Sequence, residues 1–176
     1  MTLFDTEDAA ELWHIALQDQ SAQDVPMLIR ALSDTNADRR EVAIYALRFG
    51  RRDGRVVRPL RVVRPLIDAL KHDATVRVRA MAAEMLGYQR RRKAIRPLIE
   101  CSENASPEVR FWCTFALGFF VKKRRKKRRL NVIKALESRL NDHETPECSS
   151  GYWPISLEAL AMLRDERFHA RFKPRR

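Results

Sequence analysis

Ile95-Arg96-Pro97-Leu98-Ile99, a polar break from Asn104, then Val109-Arg110 and an apolar run closing on Ala116-Leu117-Gly118: this stretch decides the fold, because it recurs. Earlier copies run from Val63 to Gly87 and from Val25 to Arg48. Aligned on the closing leucines Leu47, Leu86 and Leu117, each copy has an arginine seven residues earlier: Arg40, Arg79 and Arg110. Six residues before each arginine stands Asp34, Asp73 or Asn104. A self-similar unit of this length is the signature of a stacked array, in which each unit buries its apolar face against its neighbours.

Composition agrees with helix. Of 176 residues, 45% are hydrophobic and 33% charged, which suits a globular chain with a core of its own. Five glycines and little β-branched alternation favour helices over strands. The three cysteines, Cys101, Cys113 and Cys148, form no CxxC pair, and the acidic start lacks the order of a secretion signal. Both point to a cytoplasmic setting. The longest uncharged apolar run, Phe111 to Val121, is far short of the ~20 residues that span a bilayer.

Taken in order, residues 1–19 predict an N-terminal capping helix with Leu12, Trp13, Ala16 and Leu17 on one stripe. Repeats are expected over about 25–50, 62–89, 94–120 and 131–168, within one domain spanning 1–170, followed by a basic tail over 171–176. Repeat four is irregular, with a first helix over Val132 to Leu140 and a second from Ile155 to about Phe168, directing Leu157, Leu160, Ala161 and Leu163 inward. Between repeats one and two, Arg55-Val56-Val57-Arg58-Pro59-Leu60 is repeated unchanged as Arg61-Val62-Val63-Arg64-Pro65-Leu66. Val25 to Val63 spans 38 residues and Val63 to Ile95 spans 32, so the excess equals the duplicated six. The duplication is expected to lengthen a loop or first helix, with Pro65 near a helix start, where its missing N–H costs nothing.

The recurring Pro-Leu-Ile, the acid, the arginine six residues on and the Ala-x-x-Leu-Gly ending resemble HEAT-like repeats, of the short kind named after phycobilisome lyases. The resemblance covers residues 25–118 strongly and 132–165 weakly. It implies an all-α fold: a right-handed α-solenoid of about four helix pairs. It also implies a ladder in which Asp34, Asp73 and Asn104 accept and Arg40, Arg79 and Arg110 donate between neighbouring repeats. Asn104 departs from the acid, so its rung is expected to be the weaker one. The period is close to that of ankyrin and tetratricopeptide units, but the motifs of those repeats are absent.

The formal charge of +12 predicts a polyanionic partner. Most of the 35 lysines and arginines follow the second helix of a repeat: Arg48, Arg51, Arg52, Arg55 and Arg58; Arg90, Arg91, Arg92, Lys93 and Arg96; then Lys122, Lys123, Arg124, Arg125, Lys126, Lys127, Arg128 and Arg129. In a solenoid these connections share one edge. Helix dipoles account for one or two cations per helix end, not for eight in succession. Tyr88 is the best candidate for stacking on a base.

No phosphate loop, nucleophile elbow or paired metal-ligand element is present, so no catalytic residue, metal or cofactor is assigned. The Asp142-His143-Glu144 cluster with Cys148 reads as a solvated loop. The expectation is a non-enzymatic scaffold whose basic edge binds nucleic acid through the phosphate backbone, or alternatively an adaptor for an acidic protein. A DNA glycosylase using Trp112 with Glu108 or Trp153 with Glu158 is a distant third.

Overall fold

The computed structural model describes residue 12, residues 24–49, 51–52, 55–56, 60–121, 126–146 and 154–164; of 48, 49, 51, 52, 55, 56, 60 and 126–129 it describes the backbone. The expected capping helix lies outside those residues except for Leu12, which is helical and buried in the core. Arg58, Lys122 to Arg125, the segment 147–153 and the tail 171–176 also lie outside.

Eight helices occupy the described residues. They form four pairs: α1 (Asp24–Ala31) with α2 (Ala37–Phe49), α3 (Val63–His72) with α4 (Val76–Gln89), α5 (Ile95–Cys101) with α6 (Pro107–Gly118), and α7 (Lys126–Glu137) with α8 (Ile155–Arg164). Second helices pack closely on one another, α2 to α4 to α6 to α8, while first helices meet more sparingly on the other side. The result is a two-layer stack, an α-solenoid.

The repeat's apolar letters explain the layers. Leu28, Leu66, Leu98 and Leu136 anchor the first helices, and Leu47, Leu86 and Leu117 the second; each is at most 1% exposed. A fully buried leucine contributes about 1.5–3 kcal/mol, so the periodic leucines alone outweigh any single polar contact. α4 and α6 are apolar nearly all round because each is flanked by other helices on several sides. Pro65 and Pro97 sit in the first turn of α3 and α5, and Pro107 opens α6, all positions where no intrahelical N–H is missed.

The duplicated hexapeptide takes two conformations. In the first copy Arg55–Val56 is a short strand, β2, paired antiparallel with β1 (Arg51–Arg52). A 3-10 turn, Leu60–Val62, runs from the end of the first copy into the second, which opens α3 with Val62, Val63 and Leu66 buried. The six letters are the same, so burial against the stack, not local propensity, selects the helix.

Two boundaries differ from expectation. α7 begins at Lys126 rather than Val132, so the second half of the basic run is its first turn. α8 buries Ile155, Ser156, Glu158, Ala159 and Met162, while Leu157 is 52% exposed. Its apolar letters run all round the helix, so the stripe was ambiguous; the close approach to Gly118 resolves it. A Cβ on Gly118 would overlap the Met162 side chain.

Gly87 fixes the neighbouring joint. A Cβ there would lie 2.9 Å from the Ala116 Cα and 3.1 Å from the Phe119 ring. Replacing a mid-helix glycine by alanine normally gains about 1 kcal/mol. Overpacking against backbone costs about 1–3 kcal/mol. Gly87→Ala is therefore expected to lower stability, read as a fall in the denaturant midpoint at unchanged m-value.

Candidate functional site

Each hinge begins the same way. The Oδ1 of Asp34, Asp73, Asn104 and Asp142 accepts the N–H two residues on, from Asn36 (2.9 Å), Thr75 (2.9 Å), Ser106 (3.0 Å) and Glu144 (3.4 Å). A short polar side chain that turns on its own backbone in this way favours the turn over a continued helix.

The repeat arginine then fastens the hinge. Its Nη1 donates to the carbonyls six and five residues back: Arg40 to Asp34 and Thr35, Arg79 to Asp73 and Ala74, Arg110 to Asn104 and Ala105, all within 3.1 Å. The other edge of the guanidinium reaches forward. Arg40 donates to both oxygens of Asp73, at 2.7 and 2.9 Å. Arg110 does the same to Asp142, at 2.7 and 3.3 Å, and also pairs with Glu144 at 3.1 Å. Asp34, with no described repeat before it, is taken by Arg39 of its own hinge at 2.8 Å.

The middle rung is not made. Asn104 stands where the motif has an acid, no hydrogen bond joins it to Arg79, and the Arg79 Nε is buried without a partner. The amide serves the turn as well as a carboxylate would, because one oxygen suffices. It does not supply the charge that a second guanidinium bond needs. Asp142 was the member the sequence reading missed. Its signal was the hinge turn itself, a polar side chain two residues before a hinge amide, without the arginine six residues on that marks the other hinges.

Titration follows the rungs. Burial raises the Asp73 carboxyl, but the Arg40 bond, the Thr75 amide and the charges of Arg40 and Arg79 outweigh it, and the net shift is downward from 3.8. Asp34 is also lowered, chiefly by the Asn36 amide and then by Arg39. Glu41 moves the other way: burial in the second-helix layer raises it, offset only in part by Arg77, which bonds it at 2.6 Å.

The inter-repeat edge carries cations of a different kind. Arg61, Arg64, Arg92 and Lys93 are exposed and make no ion pair among the described residues. Arg90 closes α4 in the left-handed region, φ 50°, and its guanidinium lies 5.0 Å over the Phe119 ring. Glycine is the usual residue for that backbone; a side chain there costs about 1–3 kcal/mol of strain, which the cation–π contact offsets in part. Arg91 is half-buried. Of Arg51, Arg52 and Arg55 the hairpin backbone is described, and it stands at the same connection between pairs. Lys126, Lys127, Arg128 and Arg129 open α7, where the helix dipole opposes cations.

Tyr88 is no free platform. It is half-buried against Phe115 and Phe119, ring centroids 6.0 and 5.3 Å away, in a cluster that Trp112 joins through Phe111 and Phe115. The ring fills the joint between α4 and α6. No group of His, Cys, Asp and Glu among the described residues is arranged to hold a metal ion; Asp142 and Glu144 are bound to Arg110, and His143 Nδ1 faces the Ser156 hydroxyl at 3.3 Å. Cys113 is fully buried, and burial pushes its thiol up. No described helix is long and apolar enough to cross a membrane.

Comparison with known proteins gives the same architecture. The sequence profile of the HEAT repeats matches residues 63–150. No curated protein is a significant match. Among solved structures, a chain in the complex of CpcE and CpcF of phycocyanin lyase from Nostoc sp. PCC7120 superposes with a TM-score of 0.57 at 24% identity, over 79% of this chain and 53% of that one. The chain thus spans about half the length of that solved protein.

Restoring the missing acid tests the ladder. Asn104→Asp is expected to stabilise the fold by about 1–2 kcal/mol, because a buried donor gains a charged acceptor; a double-mutant cycle with Arg79→Ala measures the coupling. Asp73→Asn is expected to cost about 2 kcal/mol at neutral pH. The depressed Asp73 contributes fully above 3.8 and loses its contribution as pH falls through its native value. Wild type and Asp73→Asn should therefore converge in stability as acid is added, in denaturant melts taken down the acid limb. Glu41 has the opposite sign, since a raised acid favours the native state below 4.5 and ceases to do so as pH rises.

Proposed function

The chain belongs to the HEAT-repeat proteins, and we propose that it is a non-enzymatic scaffold that holds an acidic protein along its basic inter-repeat edge. The observation that carries this reading is the difference between the two edges. At the hinge edge the acids Asp34, Asp73, Asp142 and Glu144 are bound by arginines. At the connection edge Arg61, Arg64, Arg92 and Lys93 stand exposed without an ion pair. A net charge of +12 and these unpaired cations support a basic edge. Such a field steers an oppositely charged partner and sets its orientation. A protein partner is further supported by the solved protein of the same fold, which is a complex of two chains, CpcE and CpcF.

Nucleic acid is the second reading of the same edge, favoured by the eight consecutive bases from Lys122 to Arg129, four of which open α7 against its dipole. The aromatic residues give it no help, since Tyr88 is packed in the stack.

Titration of nuclease-treated full chain with polyglutamate and with duplex DNA, each at two salt concentrations, separates the readings. The expected result is salt-dependent binding of polyglutamate, weakened roughly tenfold by Arg92→Glu with Lys93→Glu, a change of about 1.4 kcal/mol. Tighter binding of the duplex, with a steep logarithmic salt slope lost on neutralising Lys122 to Arg129, would make the partner nucleic acid. Absence of binding to either polyanion at low salt would remove the charged edge as a binding surface.

A further inference from the structure

The first-helix layer has three joints, and they are not closed alike. Between α3 and α5, Lys71 and Glu100 form an ion pair across the joint at 2.5 Å. Aligned on the buried leucines Leu66, Leu98 and Leu136, the same two positions at the next joint, α5 to α7, are Glu103 and Ser138. No bridge is possible between them. At the earlier joint, α1 to α3, the positions are Ser33 and Asp68, again without a bridge. A groove opens at each unbridged joint: about 330 Å3 beside Ser33 and Asp68, and about 700 Å3 beside Glu103 and Ser138.

The larger groove has a floor and a charged rim. Ile95, Ile99 and Ala135 form the apolar floor. Arg92, Arg96 and Lys134 stand on the rim together with Glu100 and Glu103; Arg92 and Lys134 are exposed and make no ion pair among the described residues, while Glu100 is taken by Arg96 at 2.7 Å and by Lys71. Arg92 also belongs to the connection edge, so the groove continues that edge. The smaller groove is lined by Asp68 and Asp73 and by no cation.

We propose that the groove between α5 and α7 is the anchor point of the acidic partner, and that it takes one amphipathic helix bearing a leucine-type stripe with acidic flanks. This deepens the reading of the basic edge and rests on it. A trough between two helices with an apolar floor accepts the i, i+3, i+4, i+7 stripe of a third helix. The two unpaired cations of the rim, Arg92 and Lys134, favour acidic flanks, and the edge steers the approach. Charge alone gives orientation; burial of the stripe supplies affinity.

The test uses the full chain and three synthetic helical peptides of equal length, followed by fluorescence anisotropy. The first carries Leu at i, i+3, i+4 and i+7 with Glu elsewhere; the second has Ser for each Leu; the third has Lys for each Glu. The expected order is first over second by at least tenfold, with the third weakest. Lys134→Glu and Arg92→Glu should weaken the first two peptides alike. Ser138→Lys supplies the missing partner for Glu103 and should close the joint as Lys71 and Glu100 do. It is expected to abolish the gain from leucine without weakening the serine peptide. Equal binding of the leucine and serine peptides, or a leucine gain that survives Ser138→Lys, would overturn the groove and leave the basic edge standing. Failure of both acidic peptides to bind, or preference for the lysine peptide, would overturn the edge as well. Ser138 and Lys134 are exposed, and circular dichroism of each variant checks that the helices are intact.

Discussion

One guanidinium group does two tasks at two of the three joints of this stack, those of Arg40 and Arg110, and at the third, Arg79 does only the first. Nη1 of the repeat arginine binds two carbonyls of its own hinge, which fixes the angle between the helices of a pair. Nε and Nη2 bind the acid that begins the next hinge, which fixes one pair against the next. Lysine, with a single point charge, has no second edge for this. The leucines supply most of the energy, but apolar contact is undirected and would tolerate sliding. The rungs are directional and nearly water-free, with Arg40 at 12% and Asp73 at 7% side-chain exposure. They set the register that the leucines then fill.

The same arrangement sorts the described charges of a chain with 23 acids and 35 bases. The acids that begin the hinges, Asp34, Asp73 and Asp142, are bound by arginines there. At the connections Arg61, Arg64, Arg92 and Lys93 make no ion pair among the described residues, and α7 starts on four cations although its dipole disfavours them. Joints and edges thus divide the charged residues into a structural set and an exposed set. Where a structural tie is lacking the stack compensates locally: the pair of joints flanking α4 shows this, since the one with the unmade Arg79 rung is the one that carries the Lys71–Glu100 pair and the Tyr88–Phe115–Phe119 cluster.

Much of this was legible in the sequence, and what was not has physical causes. The leucine period, the prolines in first turns and the Asp-to-Arg spacing are local patterns, and they gave the helix pairs and the position of each arginine. The partner of Arg110 was hidden because no arginine follows Asp142 six residues on, where Cys148 stands, so the acid-to-arginine pattern does not mark it. The inward face of α8 was hidden because Leu157, Leu160 and Leu163 compete with Ile155, Ala159 and Met162 on hydrophobicity alone; only the glycine opposite Met162 decides. Tyr88 was the best candidate for stacking because it borders a run of arginines, whereas the ring packs into the joint. The groove beside Glu103 and Ser138 needed three dimensions, since an absent ion pair leaves no motif. For the charged edge, the sequence supplied the bases and the structure showed which described cations lack partners.

The duplicated hexapeptide shows how such a protein changes. The second copy stands in register as the start of α3, while the first begins as one strand, Arg55–Val56, of a short hairpin at the connection. Contacts between pairs are nearest-neighbour only, so an insertion between pairs alters no rung and no buried leucine. Copying errors at these positions are thus mechanically silent, and each one brings its own arginines to the surface. In this architecture the part that recognises a partner can be rewritten by slippage while the part that folds is left as it was.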